Sequence, residues 1–245
     1  MIGDIGTMLW KEFKEILLQR GSWRSGWLSL LITVGVFGVF LPLQSGRAWL
    51  ENPLLLVVWL WVPLFLVTSV VADSFAGERE RHTLETLLAS RLSDRAILLG
   101  KVLASILYGW GITMVMLALG VLTVNVAHGA REFIFYPLPV AVAIVVMAFL
   151  VAMLVACVGV LVSLRTTSVR QAVQTMSLAL MALFLLPSIA LQAAPRSVQA
   201  GVVQFAQSLD FGSLVVVVAV ALVALDAGIL AFNLGRFKRN RLILD

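Results

Sequence analysis

The sequence predicts an all-α integral membrane protein with six transmembrane helices and no soluble domain of its own. Three observations predict this fold class. Of the 245 residues, 61% are hydrophobic and only 13% are charged, whereas soluble domains are about 45–50% apolar and about 25% charged. Uncharged runs long enough to cross a bilayer recur along the chain, and the basic residues lie between alternate runs. This composition excludes a cytosolic enzyme and a disordered chain.

The first element is a cytoplasmic N-terminus, residues 1–24, with an amphipathic helix. Its apolar residues recur at helical spacing and are interleaved with charged ones. The apolar residues are Met8, Leu9, Phe13, Ile16 and Leu17. Tryptophan at positions 10, 23 and 27 favours a helix in the membrane interface, because indole rings settle at headgroup level. A solvated helix is the alternative to an interfacial one. The charged residues that precede the first long apolar run argue against a cleavable signal peptide.

Six long runs with at most one charge follow, and each predicts one spanning helix. A helix rises 1.5 Å per residue, so about 20 apolar residues cross a hydrocarbon core of about 30 Å. The predicted spans are residues 25–46, 53–72, 102–127, 137–164, 171–194 and 211–235. They make up a transmembrane domain over residues 25–235. Its external segment, 195–210, is too polar to span and predicts an interfacial helix.

The basic residues predict the orientation of these spans. Of the 18 lysine and arginine residues, 15 fall on one side of the predicted membrane, and only Arg47, Arg131 and Arg196 fall on the other. Cytoplasmic loops are enriched in these residues, so both termini, including the tail 236–245, are predicted to be cytoplasmic. We expect a multi-pass protein of the cytoplasmic membrane. The basic charge then reflects anionic lipid headgroups rather than nucleic acid.

Most of the polar information lies in the loop over residues 73–101. Its leucines at 84, 87, 88 and 92 fall on one face of a helix, and Glu78, Arg81, His82 and Glu85 fall on the other, which predicts a short amphipathic helix. Ser93 is placed to cap the next helix. From composition alone, a solvated connector whose charges only hold the topology remains an alternative.

The loop also carries a family resemblance. The run Glu78-x-Glu80-x-x-Thr83-Leu84-Glu85-x-Leu87-Leu88, with Gly100-Lys101 twelve residues later, resembles the signature of the permease subunits of type-2 ATP-binding-cassette exporters. Those subunits have six spans, cytoplasmic termini and an N-terminal interfacial helix. The chain departs from the pattern at His82, where the family usually has glycine, and at Arg91, where it often has proline.

The resemblance implies that this loop holds a coupling helix, which docks on a separate ATPase subunit. The implied coupling residues are Glu78, Glu80, Arg81, Thr83, Leu84, Glu85, Leu87 and Leu88. It further implies two permease copies, or one with a paralogue, and two ATPases that bind ATP and magnesium. The permease would thus be a non-catalytic exporter subunit without a cofactor of its own.

The sequence offers little chemistry beyond this. A phosphate-binding loop needs a glycine five residues before its Gly-Lys pair and a Ser or Thr after it, but here Arg95 and Val102 stand at those positions around Gly100-Lys101. The two histidines, His82 and His128, are predicted on opposite sides of the membrane. With one cysteine, Cys157, they form no metal site and no catalytic group.

Asp226 is the one ionisable residue predicted within a span. Such a charge is costly in a membrane and is therefore a candidate functional group. A structural hydrogen bond to Gln171, Gln174 or Thr175 is the interpretation we prefer, because no second acidic group suggests a proton relay. An ion-coupled secondary transporter and a non-transporting membrane scaffold or assembly protein remain alternative functions.

Overall fold

A computed structural model describes residues 2–18, 23–83, 87, 89–129, 133–208 and 210–237. The chain is 88% helical and has no strand within those residues. Six of the described helices are long and apolar enough to cross a membrane. The predicted all-α membrane class is therefore confirmed.

The spans are numbered in chain order. They are span 1, Leu28–Ser45; span 2, Val57–Glu80; span 3, Asp94–His128; span 4, Leu138–Ser163; span 5, Val169–Ala193; and span 6, Phe211–Arg236. An N-terminal helix, Ile2–Leu18, precedes them, and a shorter helix, Arg196–Ser208, separates spans 5 and 6. Short helices at Ala48–Glu51 and Pro53–Leu55 connect spans 1 and 2.

Two helices extend well beyond their predicted spans. Span 2 continues through a π-helical turn, Asp73–Gly77, to Glu80, eight residues beyond the predicted end at residue 72. Span 3 starts at Asp94, where the Ser93 hydroxyl accepts a hydrogen bond from the Ala96 amide at 3.3 Å. Uncharged runs mark the hydrocarbon-crossing part of a helix, whereas caps and turns set where the helix ends.

The core lies among spans 2, 3 and 4. Small residues bring these helices together, because a Cβ added at Gly109 would lie 2.4 Å from Val67, and one added at Gly159 would lie 2.2 Å from Val71. Spans 1, 5 and 6 are mostly exposed in the single chain. Their exposed apolar side chains are therefore available to lipid or to another subunit.

Candidate functional site

The π-helical turn Asp73–Gly77 is held by side chains from two neighbouring spans. The Ser163 hydroxyl of span 4 accepts from the Ala76 amide at 2.9 Å and donates to the Ala72 carbonyl at 3.0 Å. The Lys101 ammonium of span 3 donates to the Ser74 carbonyl at 2.7 Å. π-Helical turns are rare in proteins, and those that occur often lie at functional sites.

A buried charge cluster lies next to this turn. It joins the N-terminal helix, span 2 and span 3. The Lys101 Nζ lies 2.8 Å from Glu12 Oε1 and 3.0 Å from Glu78 Oε1. The Lys11 Nζ lies 2.9 Å from the same Glu78 oxygen and 3.1 Å from Glu15. Lys101 is only 1% exposed and Glu78 only 3%, so the ion pairs of Lys101 are shielded from water, whereas Lys11 is partly exposed.

The cluster changes the protonation behaviour of Lys11. Burial alone would lower its pKa, but the hydrogen bond to Glu78 and the nearby carboxylates of Glu12 and Glu15 outweigh burial and raise the pKa above its ordinary value. Lys11 therefore stays charged across the physiological range. The three carboxylates have oxygens within 4.8 Å of one another, as metal ligands can. Two ammonium groups already lie on them, so the arrangement fits ion pairs better than a metal site.

Gly100 brings the N-terminal helix close enough for this cluster to form. A Cβ at position 100 would lie 2.6 Å from the Met8 Cβ, so only glycine fits without moving one of the helices. Met8 is itself buried. The Gly100-Lys101 pair of the signature therefore has two physical roles: the glycine permits close approach, and the lysine neutralises the carboxylates that meet it.

The three residues after Glu78 all have polar partners, and those of Arg79 and Glu80 lie on other elements. The Arg79 guanidinium donates to the carbonyls of Leu164 and Thr166, each at 3.0 Å. The Glu80 carboxylate accepts from the Val169 amide at 3.1 Å, at the first turn of span 5. Arg81 makes an exposed ion pair with Asp73, at 3.3 Å.

We call residues 73–81 the junction. Besides the polar contacts of spans 3, 4 and 5 and of the N-terminal helix, it meets the chain just after span 6. The ring of Phe75 packs edge-on against the buried ring of Phe237, with centroids 5.6 Å apart. Five elements thus converge on the end of span 2.

The predicted exposure of Glu78 is wrong. The sequence pattern places Glu78 on the polar face of a loop helix, but span 2 continues to Glu80 and the Glu78 carboxylate contacts Lys101. Glu80, Arg81 and Thr83 are exposed, although the Glu80 carboxylate also bonds the Val169 amide. Leu87 is half-buried and packs on the core. Leu84, Glu85 and Leu88 lie outside the described residues.

The helix of span 2 ends in a backbone turn directly after the junction. His82 has φ +56°, in the left-handed region that glycine adopts at no steric cost and that other residues adopt rarely. This is the position at which the family usually has glycine. With histidine in place of glycine, the chain still forms this turn, but the left-handed backbone conformation of His82 costs conformational energy.

Asp226 lies where the sequence predicts an intramembrane polar residue, but its predicted partners are wrong. It is 1% exposed, and neither carboxylate oxygen has a hydrogen-bond partner among the residues that the structure describes. Span 6 packs mainly on span 4 rather than on span 5. Gln171, one of the predicted partners, instead accepts from Thr167. Two turns after Asp226, Asn233 donates to the Cys157 carbonyl of span 4 at 2.9 Å.

Sequence reasoning missed the residues that make the polar contacts at the junction and in the charge cluster beside it, namely Lys11, Glu12, Arg79, Lys101 and Ser163. A signal was present for Lys101, since a lysine at the edge of an apolar run is costly without a partner. No comparable signal marks Ser163 or Glu12, because their partners are about 90 residues away in the sequence.

Comparison with known proteins identifies the family. The ABC-2 type transporter family matches residues 4–193, which include the N-terminal helix, the junction and spans 1–5. No curated protein and no solved structure matches the chain significantly. Permeases of this family work with ABC ATPase partners. Because the match covers well over half of a chain with six candidate spans, this multi-pass membrane protein belongs to the ABC-2 type transporter family and is a membrane permease of an ABC transporter.

Proposed function

We propose that this permease is the translocation subunit of an exporter and that residues 78–88, the coupling segment, connect it to a separate ATPase. The observation that carries this proposal is the junction: the start of the coupling segment contacts the N-terminal helix and the loop-side ends of spans 3, 4 and 5. A force applied to the segment therefore acts on several spans at once.

The residues proposed to touch the ATPase are those that the permease does not bury. Arg81 and Thr83 are exposed, and Glu80 is exposed beside its backbone contact. Leu84, Glu85 and Leu88 complete the surface by resemblance to the family signature, together with the exposed part of Leu87, which is otherwise half-buried. Glu78 leaves this set, because its carboxylate binds Lys11 and Lys101 within the permease.

The proposed assembly has two permease copies and two ATPases, and the ATPases bind ATP and magnesium. Both permease termini and the coupling segment lie on the cytoplasmic side of the cytoplasmic membrane. The exposed apolar sides of spans 1, 5 and 6 leave surface for the second permease copy, identical or paralogous, and for lipid. Export as the direction of transport rests on the resemblance to type-2 exporters.

Affinity purification tests the coupling proposal. Replacing Glu80 and Glu85 together with alanine should weaken recovery of the ATPase by about tenfold or more. A charge pair that loses one partner in a partly buried interface typically costs about 2–5 kcal/mol, and about 1.4 kcal/mol corresponds to a factor of ten. Glu85→Ala alone isolates the loss at the interface, because Glu80 also bonds the Val169 amide.

Glu51→Ala is the matched control. Glu51 is an exposed glutamate in the connection between spans 1 and 2, on the opposite side of the predicted membrane. This variant should retain the ATPase at the wild-type level. Unchanged ATPase recovery in the double variant would contradict the proposed contact. Consistent absence of any ATPase from the wild-type preparation would favour the secondary transporter or the scaffold.

A further inference from the structure

Lys101, on span 3, is the most enclosed charged group in contact with the junction. Its ammonium is 1% exposed and contacts the carboxylates of Glu12 and Glu78 and the carbonyl of Ser74. The ammonium also lies 5.1 Å from the centre of the Phe75 ring, within the range of a cation–π interaction. One side chain of span 3 thus contacts the N-terminal helix, the π-helical turn and the start of the coupling segment.

Lys11 and Lys101 share carboxylates but connect different elements. Lys11 belongs to the N-terminal helix and lies 2.9 Å from Glu78 and 3.4 Å from Glu12. Without Lys101, both carboxylates therefore keep a positive neighbour. Span 3, by contrast, loses its ion pairs to Glu12 and Glu78 and its contact with the π-helical turn. The two lysines are accordingly not equivalent: Lys11 preserves charge balance, and Lys101 provides the connection to span 3.

We propose that Lys101 is a positioning residue that makes span 3 move together with the coupling segment and the N-terminal helix. The inference rests on the proposed function, in which an ATPase displaces that segment. Gly100 contributes by allowing the N-terminal helix to lie directly on span 3. Because the lysine acts through its neighbours, its loss uncouples the permease without removing a contact to the ATPase.

The test uses the complete complex of permease and ATPase, reconstituted in phospholipid vesicles. Lys101→Met keeps the length of the side chain and removes its charge. ATPase recovery should stay within about twofold of wild type, while the permease-dependent part of ATP hydrolysis should fall by about tenfold or more, a change of about 1.4 kcal/mol. Lys101→Arg should restore much of this activity. Lys14→Met is the control, since Lys14 is exposed on the N-terminal helix, and it should retain the activity.

A distance measurement separates positioning from a purely structural role. Spin labels on Arg95→Cys and His82→Cys, two exposed positions, report span 3 and the coupling segment, with the buried Cys157 replaced by alanine. In the otherwise unchanged protein, their separation should be the same in the nucleotide-free and vanadate-trapped complexes. With Lys101→Met, the separation should change or its distribution should broaden in the trapped complex.

A second variant addresses folding. The combination Lys101→Met, Glu12→Gln and Glu78→Gln removes both carboxylates that pair with Lys101, and neutral replacement of a buried ion cluster is often tolerated. It should fold and remain uncoupled. If Lys101→Met hydrolyses ATP at the wild-type rate and its label separation is unchanged, this inference is overturned and the proposed function is not. Absence of the ATPase from the wild-type complex would overturn the proposed function and this inference together.

Discussion

The hydroxyl of Ser163 lies 2.9 Å from the Ala76 nitrogen and connects span 4 to the π-helical turn of span 2. The same oxygen donates to the Ala72 carbonyl, so one serine satisfies two backbone groups that lie in or beside the turn. Ser163 is completely buried. The irregular turn is therefore stabilised by a side chain that reaches it from another helix.

Ser163→Ala should lower the thermal stability of the permease. A buried amide left without an acceptor costs about 1–3 kcal/mol. Thermal unfolding in detergent, followed by size-exclusion chromatography, measures the loss. Ser188→Ala should leave the melting temperature unchanged, because Ser188 is exposed and bonds only a carbonyl of its own helix. Equal melting temperatures for wild type and Ser163→Ala would show that the turn does not depend on this contact.

His82→Gly should stabilise the folded protein. A non-glycine residue in the left-handed region costs about 1–2 kcal/mol, and His82 has φ +56°. Glycine loses part of this gain because its unfolded chain is more flexible, so we expect a net gain of about 1 kcal/mol. His82→Ala, which retains a Cβ, should give no gain. A lower melting temperature for His82→Gly would contradict the strain argument.

Asp226→Asn should keep both the fold and permease-dependent ATP hydrolysis, because the amide preserves the size and polarity of the side chain. Asp226→Leu should raise the melting temperature, since burying an unbonded polar group costs about 1–3 kcal/mol and the carboxyl has no hydrogen-bond partner among the described residues. Both variants are measured in the reconstituted complex. Loss of hydrolysis in well-folded Asp226→Asn would instead indicate a function that needs the carboxyl group.

Asp210 gives a prediction about pH. It caps span 6, and hydrogen bonds from the Ser213 hydroxyl and amide lower its pKa. A lowered pKa in the folded protein contributes stability above the unfolded pKa, and this contribution disappears as the pH falls through the folded value. Asp210→Ala should therefore melt below wild type at neutral pH. The difference should shrink on acidification below the ordinary pKa of aspartate, and a difference that does not depend on pH would exclude the carboxylate cap.

Cysteine labelling tests the predicted orientation. With a membrane-impermeant maleimide, Ser90→Cys and Arg239→Cys should react only from the cytoplasmic side, and Arg47→Cys only from outside. Cys157 is buried, so the background should be low. Reaction of positions 90 and 47 from the same side would rule out the six-span topology.

The fold class was predictable because bilayer thickness sets a minimum helix length that composition reveals directly. The role of Glu78 was not predictable in the same way. A glutamate after an apolar run is typical of a solvated loop, and its burial depends on Lys11 and Lys101, which lie 67 and 23 residues away in the chain. The partners proposed for Asp226 failed for a similar reason, because the sequence does not tell which helix lies beside span 6.

The helix of span 2 is continuous, so a small rotation at its middle becomes a larger displacement at its end. The helix covers 18 residues from Pro63 to Glu80, a length of about 25 Å at 1.5 Å per residue. Pro63 lacks an amide hydrogen and so weakens the helix at that level. A rotation of about 10° there would move Glu80 sideways by about 4 Å, close to the rise of one helical turn. A small angular change in the middle of the membrane is thus geometrically equivalent to a large displacement at the surface where an ATPase would push.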